Sequence, residues 1–293
     1  MFDKAYVTKD VEQIGLDDRN FPDIIDLGFK SHGSDLCGVM LTPQGEGPHP
    51  TAILLHGFPG YDDPIDLAHA LRRCGMNVLR FHYRGSWGVK GTFSFANCIE
   101  DVKCAIDFLV DEKTVKEFYI DTNNLFLVGH SMGGFLTLNH ACDKRIKSSV
   151  AISPYDFGLI GKIGHYNQKE KDEAFDMYKT ALVPLNNTSA EKLMQECLDN
   201  GHKWNLPDQA ESLANEKILI TVANGDVISK KYLHHDILAK EIKKYNKGNL
   251  TEKFIDADHC YSNKRIWLAQ TIAEFLEKQI YIRKWGRQQW RQY

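Results

Sequence analysis

Residues 124–142 read Asn-Leu-Phe-Leu-Val-Gly-His-Ser-Met-Gly-Gly-Phe-Leu-Thr-Leu-Asn-His-Ala-Cys. The apolar run before Gly129 predicts a buried strand, and the apolar run after Gly133 predicts a helix. A Gly-x-Ser-x-Gly pattern between a strand and a helix is typical of a strained turn that exposes a serine hydroxyl. Because the helix N-terminus points backbone N–H groups at any anion formed there, we interpret Ser131 as a candidate nucleophile.

A serine nucleophile needs a histidine base and an acid that orients the histidine. The chain supplies both after Ser131. Asp226 follows the apolar run 217–223, and His259 follows a predicted strand over 250–255. Both lie at the carboxyl ends of predicted parallel strands, which is the edge where open α/β sheets bind their ligands. The order serine, acid, histidine therefore predicts a catalytic triad of Ser131, Asp226 and His259.

Several further stretches resemble the α/β-hydrolase family, in its small-esterase and prolyl-oligopeptidase-like branch. Besides the turn at Ser131, they are the strand and loop at 53–60, the strand and Arg-Gly turn at 78–88, and the histidine loop at 258–262. The resemblance covers nearly the whole chain. It implies that the backbone N–H groups of Phe58 and Met132 form the oxyanion hole.

The acid loop departs from the family pattern, in which a second acidic residue often lies near the aspartate. Here Asp226 is followed by Val-Ile-Ser. Asp256 and Asp258 are the competing candidates for the acid. We favour Asp226, because a residue directly beside a histidine seldom reaches round to its Nδ1 atom.

The order of predicted elements indicates the fold class. Apolar alternation over 25–29 and an apolar run over 36–41 predict a leading antiparallel hairpin. From residue 51 onward strands and helices alternate, which indicates a mostly parallel sheet. We therefore expect an α/β-hydrolase fold with an N-terminal antiparallel hairpin, helices on both faces of the sheet and a helical cap insertion.

The predicted cap fills the interval between the strand ending near residue 153 and the next strand at 217. An interval of this length is too long for a plain loop. Apolar residues at helical spacing from Ala174 and a capping-box pattern over 188–191 predict helices within it. We assign residues 1–154 and 214–293 to the hydrolase core and residues 155–213 to the cap.

Aromatic residues suggest an apolar substrate pocket under this cap. The candidates for its lining are Trp87, Tyr155 and Trp204. For the aromatic residues of the cap itself, simple packing is the favoured alternative.

The composition fits one enzyme domain with an insertion. The 293 residues are 43% apolar and carry a formal charge of −3, which gives no indication of a nucleic-acid partner. Met1-Phe2-Asp3-Lys4 leads into polar residues, and no apolar run approaches the roughly 18 residues that span a bilayer. Seven cysteines without paired spacing fit reduced thiols. We expect a soluble, cytoplasmic protein without a membrane partner, and a homo-oligomer stays open.

Other chemistries find little support in the sequence. His234-His235-Asp236 resembles a metal cluster, but neighbours on a helix point about a hundred degrees apart, and no H-E-x-x-H or paired C-x-x-C motif occurs. No glycine-rich phosphate loop occurs either. We therefore expect neither a metal nor a cofactor.

Some other residues have structural interpretations. His56 and His130 are expected to support loops, and Arg84 is expected to form a structural ion pair. The tail at 283–293 is basic and aromatic, which could mark a partner or membrane surface; a frayed terminus is the favoured alternative.

Together these patterns predict an enzyme that hydrolyses carboxylic esters of small or aromatic acyl groups through an acyl-enzyme intermediate. One alternative is a serine peptidase that acts on small peptides with the same triad. A second, from another class, is a non-catalytic ligand receptor on a hydrolase scaffold. An intact triad argues against the receptor.

Overall fold

The computed structural model describes residues 1–12, 21–61 and 64–280. Within these residues one sheet has the strand order β1-β2-β4-β3-β5-β6-β7-β8. The strands are β1 (Asp23–Ser31), β2 (Ser34–Thr42), β3 (His49–Leu55), β4 (Asn77–Phe81), β5 (Ile120–His130), β6 (Ile146–Ile152), β7 (Ile218–Ala223) and β8 (Leu250–Ile255). The α-helices are α1 (Ile65–Arg73), α2 (Phe95–Leu109), α3 (Glu112–Glu117), α4 (Met132–Asn139), α5 (Phe157–Ile163), α6 (Gln168–Thr180), α7 (Ala190–Trp204), α8 (Ala210–Leu213), α9 (Asp236–Lys243) and α10 (Arg265–Gln279).

The sheet begins with an antiparallel hairpin. Strands β1 and β2 pair from Asp23 with Thr42 to Ser31 with Ser34, and the turn residues His32 and Gly33 have positive φ. Strand β2 also pairs antiparallel with β4, whereas the pairs from β4 to β8 are parallel. The predicted α/β-hydrolase fold with a mostly parallel sheet and an N-terminal hairpin is confirmed.

Helices cover both faces of the sheet and bury a core on each. Strand β3 is buried along its whole length, as expected for a central parallel strand. Its Ile53 and Leu55 face a core formed with α2, α4 and the helices between β6 and β7. Its Ala52 and Leu54 face a second core formed with α1 and α10. Burial of apolar surface on both faces fixes the register of the central strands, and with it the loops at their carboxyl ends.

The segment 155–213 contributes α5 to α8 between β6 and β7. Helices α5 and α7 approach closely at Gly161. A Cβ atom there would lie only 1.8 Å from the carbonyl oxygen of Cys197 on α7. Helix α7 is capped by Ser189, whose Oγ accepts from the N–H of Lys192 at 3.3 Å. The capping residue is therefore one position later than the capping-box pattern that begins at residue 188 indicates.

None of the described helices is both long enough and apolar enough to cross a membrane. The basic and aromatic tail at 283–293 lies outside the described residues.

Candidate active site

Ser131 lies in a sharp turn between β5 and α4. Its backbone has φ 55° and ψ −114°, a conformation that costs a non-glycine residue about 1–3 kcal/mol. Two backbone hydrogen bonds hold it there: its N–H donates to the carbonyl of Ile152 at 2.9 Å, and its carbonyl accepts from the N–H of Tyr155 at 3.1 Å. These hydrogen bonds to the end of β6 and to the segment after it hold the strained turn that the sequence predicts.

The two glycines around Ser131 permit close approach of the strand to the helix. A Cβ atom on Gly129 would lie 2.0 Å from the carbonyl oxygen of Gly133. A Cβ atom on Gly133 would lie 2.0 Å from the carbonyl oxygen of Leu55. No side chain fits either position without moving backbone, so the pattern reflects packing at this turn.

Asp226 and His259 are joined by a short hydrogen bond. The Nδ1 atom of His259 lies 2.6 Å from Oδ2 of Asp226. The other oxygen, Oδ1, accepts from the backbone N–H groups of Ile228 at 2.8 Å and Ser229 at 2.7 Å. The carboxylate is thus fixed through both oxygens, and it orients the imidazole with Nδ1 as the donor.

The competing aspartates hydrogen-bond elsewhere. Oδ1 of Asp258 accepts from the backbone N–H of Ser262 at 2.8 Å. Oδ1 of Asp256 accepts from the side-chain amide of Asn224 at 2.7 Å. Of the three candidates for the acid, the structure brings Asp226 to His259.

The surroundings of Asp226 favour its charged form. Burial works to raise the pKa of Asp226, but the hydrogen bond from His259 and those from two backbone N–H groups outweigh it and hold the pKa below the usual range. The residue is therefore a carboxylate at neutral pH, which is the form that stabilises a protonated histidine beside it.

His130 connects the serine turn to the histidine loop. Its Nε2 atom donates to the backbone carbonyl of His259 at 2.8 Å, and the two rings lie 4.7 Å apart. Burial, with the nearby His259, lowers the pKa of His130 to about 3, so its ring stays neutral. Because His130 directly precedes Ser131, this contact ties the backbone of the histidine loop to the turn that carries the serine.

Tyr261 is an anchor of the histidine loop that the sequence did not single out. Its ring is fully buried, and its hydroxyl lies 3.0 Å from Oγ of Ser153 and 3.0 Å from Oγ1 of Thr221. These partners lie at β6 and β7, so the tyrosine fixes the loop of His259 to two strands. The only sequence signal is an aromatic residue two positions after the histidine.

The predicted oxyanion donors lie on two elements that meet at Ser131. A Cβ atom on Gly57 would lie 3.1 Å from the Cβ atom of Ser131, so the loop that carries Phe58 passes directly beside the serine. His56 supports this loop by donating from Nδ1 to the carbonyl of Gly57 at 2.8 Å. Met132 is the first residue of α4, where N–H groups have no partner inside the helix.

Trp87 braces the same loop from outside. Its indole N–H donates to the carbonyl of Pro59 at 2.7 Å, and its backbone N–H donates to the carbonyl of Pro184 at 2.9 Å. The side chain is 41% exposed. Trp87 therefore lies between the oxyanion loop and the segment 155–213, at a position open to solvent.

The other two predicted pocket residues occupy different surroundings. Tyr155 is buried and lines a cavity of about 120 Å³ beside the acid loop. Trp204 is also buried, but its ring packs against Phe135 of α4 at 6.4 Å within the hydrophobic core. Tyr155 therefore borders a cavity, whereas Trp204, the last residue of α7, packs against α4.

Arg84 is held by two carboxylates. Its Nε atom lies 2.6 Å from Oδ1 of the buried Asp101, and its Nη2 atom lies 2.6 Å from Oε2 of Glu100. The side chain therefore serves the structural ion pair that was expected of it.

The candidate metal cluster is dispersed among separate partners. The Nδ1 atom of His234 accepts from the backbone N–H of Asp156 at 3.0 Å, and His235 lies between Asp236 and Glu252. Across residues 1–12, 21–61 and 64–280, no group of three or more His, Cys, Asp or Glu side chains is arranged to hold a metal ion.

Comparison with known families agrees with this geometry. The sequence pattern of the alpha/beta hydrolase family matches residues 52–211, which include the turn at Ser131 and the oxyanion loop. The chain belongs to the alpha/beta hydrolase family. The resemblance to the α/β-hydrolase family is thereby confirmed.

This alpha/beta hydrolase is also similar to individual proteins. It is 31% identical over 143 residues to an uncharacterised 31.7 kDa protein encoded in the traX-finO intergenic region of Escherichia coli, a match that covers 46% of this chain and 48% of that protein. It is 27% identical over 133 residues to Esterase EstD of Thermotoga maritima, covering 41% of this chain and 30% of that protein. The hydrolase thus spans about half the length or less of these relatives.

Solved structures share the fold at low sequence identity. Est1E from Butyrivibrio proteoclasticus superposes with a TM-score of 0.64 at 16% identity, over 87% of this chain and 98% of that one. The acylaminoacyl peptidase of Pyrococcus horikoshii superposes with a TM-score of 0.65 at 14% identity, over 87% of this chain and 42% of that one. At this level of identity the likeness concerns the alpha/beta hydrolase fold alone.

Proposed function

We propose that this protein is a serine esterase that cleaves carboxylic esters of small or aromatic acyl groups through an acyl-enzyme intermediate. The observation that carries the proposal is the 2.6 Å hydrogen bond between Asp226 and His259, in a loop that His130 ties to the serine turn. The similarity to Esterase EstD supports an ester as the substrate.

The first half of the reaction acylates the serine. His259 takes the proton from Oγ of Ser131 as that oxygen attacks the ester carbonyl. Asp226 holds the imidazole in the productive tautomer and stabilises its positive charge. The negative charge that develops on the carbonyl oxygen is stabilised by the backbone N–H groups of Phe58 and Met132.

The second half of the reaction releases the acid. It begins after His259 has given its proton to the departing alcohol, which completes acylation. His259 then removes a proton from a water molecule as that water attacks the acyl carbonyl, and it returns this proton to Oγ of Ser131 as the bond between Oγ and the acyl carbon breaks and the acid leaves. The same oxyanion donors act again. These side chains and backbone groups supply all the proton transfers and charge stabilisation that the two steps need, so the proposed reaction uses no cofactor.

The test is a substrate screen with the unmodified protein. We expect hydrolysis of p-nitrophenyl acetate and little or no hydrolysis of aminoacyl naphthylamides. Faster cleavage of the naphthylamides would replace the esterase proposal with the small-peptide peptidase. No turnover of either class would favour the non-catalytic receptor.

The nucleophile is tested with the Ser131→Ala variant. Activity should fall by several powers of ten, and labelling by a fluorophosphonate should be lost, because both need the activated hydroxyl. Thermal stability should change little, since no core is opened. The matched control is Ser212→Ala, which removes an exposed hydroxyl on α8 and should keep both activity and label. Retained turnover or label in Ser131→Ala would contradict the proposed nucleophile.

A further inference from the structure

The cavity beside the acid loop contains unused hydrogen-bond donors. It measures about 120 Å³ and is lined by Val227 and Ile228 next to Asp226, by residues of α6, and by Tyr155 and His234. Two of its lining residues directly follow Asp226 in sequence, and the backbone N–H of Tyr155 donates to the carbonyl of Ser131 at 3.1 Å. A group that fills this cavity therefore lies beside the loop of the proposed acid.

His234 presents one of the donors. Its side chain is 2% exposed, and its Nδ1 atom accepts from the backbone N–H of Asp156 at 3.0 Å. An imidazole that accepts at Nδ1 carries its proton on Nε2. Burial lowers the pKa of His234 to about 3, so the ring stays in this neutral form. The Nε2–H group has no hydrogen-bond partner among the described residues, and the side chain lines the cavity.

Tyr155 presents the second donor. The residue is 4% exposed, and its ring lies against that of His234 at a centroid distance of 4.3 Å and an interplanar angle of 32°. Its hydroxyl likewise has no hydrogen-bond partner in the part of the chain that the structure describes. Two adjacent donors that line one cavity call for a ligand atom that accepts hydrogen bonds.

The charged residues of the cavity restrict what that ligand group can be. Glu170 accepts from Lys230 at 2.8 Å and from the hydroxyl of Tyr232 at 2.9 Å, and Glu173 also pairs with Lys230. These two carboxylates would repel an anionic ligand group. An ammonium group on the ligand would be repelled by Lys230, and it could not accept hydrogen bonds from Tyr155 and His234. A neutral hydroxyl group avoids both penalties, since it accepts from a donor and can donate to a carboxylate.

We infer that Tyr155 and His234 select substrates that carry a neutral hydroxyl group on the part of the molecule that enters this cavity. The remaining lining includes Ala174, Met177, Val227 and Ile228, which suits an apolar body such as an aromatic ring. The inference rests on the proposed ester hydrolysis for its substrate class, but not for the binding step itself.

The kinetic test uses matched esters. Methyl 3-(4-hydroxyphenyl)propanoate is compared with methyl 3-phenylpropanoate, and 2-(4-hydroxyphenyl)ethyl acetate with 2-phenylethyl acetate, so that the hydroxyl is placed on either side of the ester. We expect kcat/KM to favour the hydroxylated member of at least one pair by about tenfold, because buried donors stay unpaired with the other member. Equal kcat/KM within both pairs would overturn the inference.

Two variants assign the preference to its residues. Tyr155→Phe removes only the hydroxyl, and His234→Asn keeps an acceptor near the position of Nδ1 while removing the Nε2–H group. In both, the preference for the hydroxylated ester should shrink toward one. The control is Tyr166→Phe, a tyrosine that is 76% exposed, which should leave the preference unchanged. A preference that survives in both cavity variants would also overturn the inference.

A binding measurement separates this inference from the proposed function. If the unmodified protein hydrolyses no ester, the proposed function fails, and 4-ethylphenol and ethylbenzene then probe the cavity by calorimetry without any catalysis. Tighter binding of 4-ethylphenol, weakened in Tyr155→Phe, would support the hydroxyl site independently of esterase activity. Equal binding of the two compounds would refute it.

Discussion

The acid of the proposed triad is the residue whose assignment the geometry sharpens most. We predict that Asp226→Asn lowers kcat by about 10⁴-fold, as expected when a histidine loses the carboxylate that fixes its tautomer. The fold should be preserved, because the amide oxygen can still accept from the backbone of residues 228 and 229. Steady-state kinetics and a thermal melt measure the two effects.

The matched variant for this prediction is Asp258→Asn. Asp258 accepts from the backbone N–H of Ser262 and lies next to His259 in sequence. Its substitution therefore changes a carboxylate in the same loop without removing a hydrogen bond to Nδ1 of His259. Its kcat should fall far less. A larger loss in Asp258→Asn than in Asp226→Asn would move the acid to the histidine loop.

Single residues were predictable where chemistry dictates sequence spacing. A strained serine turn needs small neighbours, and this need leaves the readable pattern of Gly129 and Gly133 around Ser131. The supports of the site leave no such pattern. The bond from His130 to the carbonyl of His259 joins residues 129 positions apart, and only the folded chain brings them together.

Tyr261 ties three elements together through one hydroxyl. We predict that Tyr261→Phe lowers the free energy of unfolding by about 1–3 kcal/mol, because Ser153 and Thr221 are both buried and would lose this partner. The activity should fall as well, since the loop of His259 loses its attachment to β6 and β7. Chemical denaturation and kcat measure the two effects.

The control removes a hydroxyl without buried partners. Tyr119 is 60% exposed, so Tyr119→Phe should leave both the free energy of unfolding and kcat nearly unchanged. If Tyr261→Phe were as stable and as active as the unmodified protein, its hydrogen bonds would not position the loop.

Elements were predictable from sequence in proportion to their periodicity. Strand β1 of the hairpin alternates in burial, as its sequence alternates in polarity, and β3 is mostly apolar and buried along its length. The predicted sheet is confirmed. Helix α5 was not predicted, because its sequence, Phe-Gly-Leu-Ile-Gly-Lys-Ile, is apolar on nearly every side and contains two glycines. Those glycines are explained only by close packing on α7, which is a tertiary contact.

The size of the substrate pocket is a property of the whole chain, because the segment 155–213 packs against the loops after β3 and β4. The ring centroids of Phe58 and Tyr178 lie 5.7 Å apart, and the backbone N–H of Trp87 donates a hydrogen bond to the carbonyl of Pro184. We predict that kcat/KM on p-nitrophenyl esters falls once the acyl chain exceeds about eight carbons, since each further methylene, worth roughly 0.8 kcal/mol when buried, must find room. A steady rise out to palmitate would indicate an open groove instead.

Stability against acid is also a property of the whole molecule, because it depends on histidines buried in separate places. Burial lowers the pKa of His56, His130 and His234 to about 3 in the folded chain, whereas an unfolded histidine titrates near 6.5. Asp156 acts in the opposite sense, since burial raises its pKa to about 7. Below pH 6.5 the unfolded chain therefore binds protons at these histidines that the folded chain does not bind, and burial also lowers the pKa of His49, His69, His82 and His140.

The sign of the pH dependence follows from this difference. Since a lowered histidine pKa means that the unfolded state binds more protons below about pH 6.5, stability should fall as the pH falls through this range. Denaturant titrations at pH 8, 6 and 5 measure the slope. His234→Asn should reduce it by about 1.4 kcal/mol per pH unit. His202→Gln, which changes an exposed side chain, should leave it unchanged. A free energy of unfolding that stays constant from pH 8 to pH 5 would contradict the neutral, buried state of these histidines.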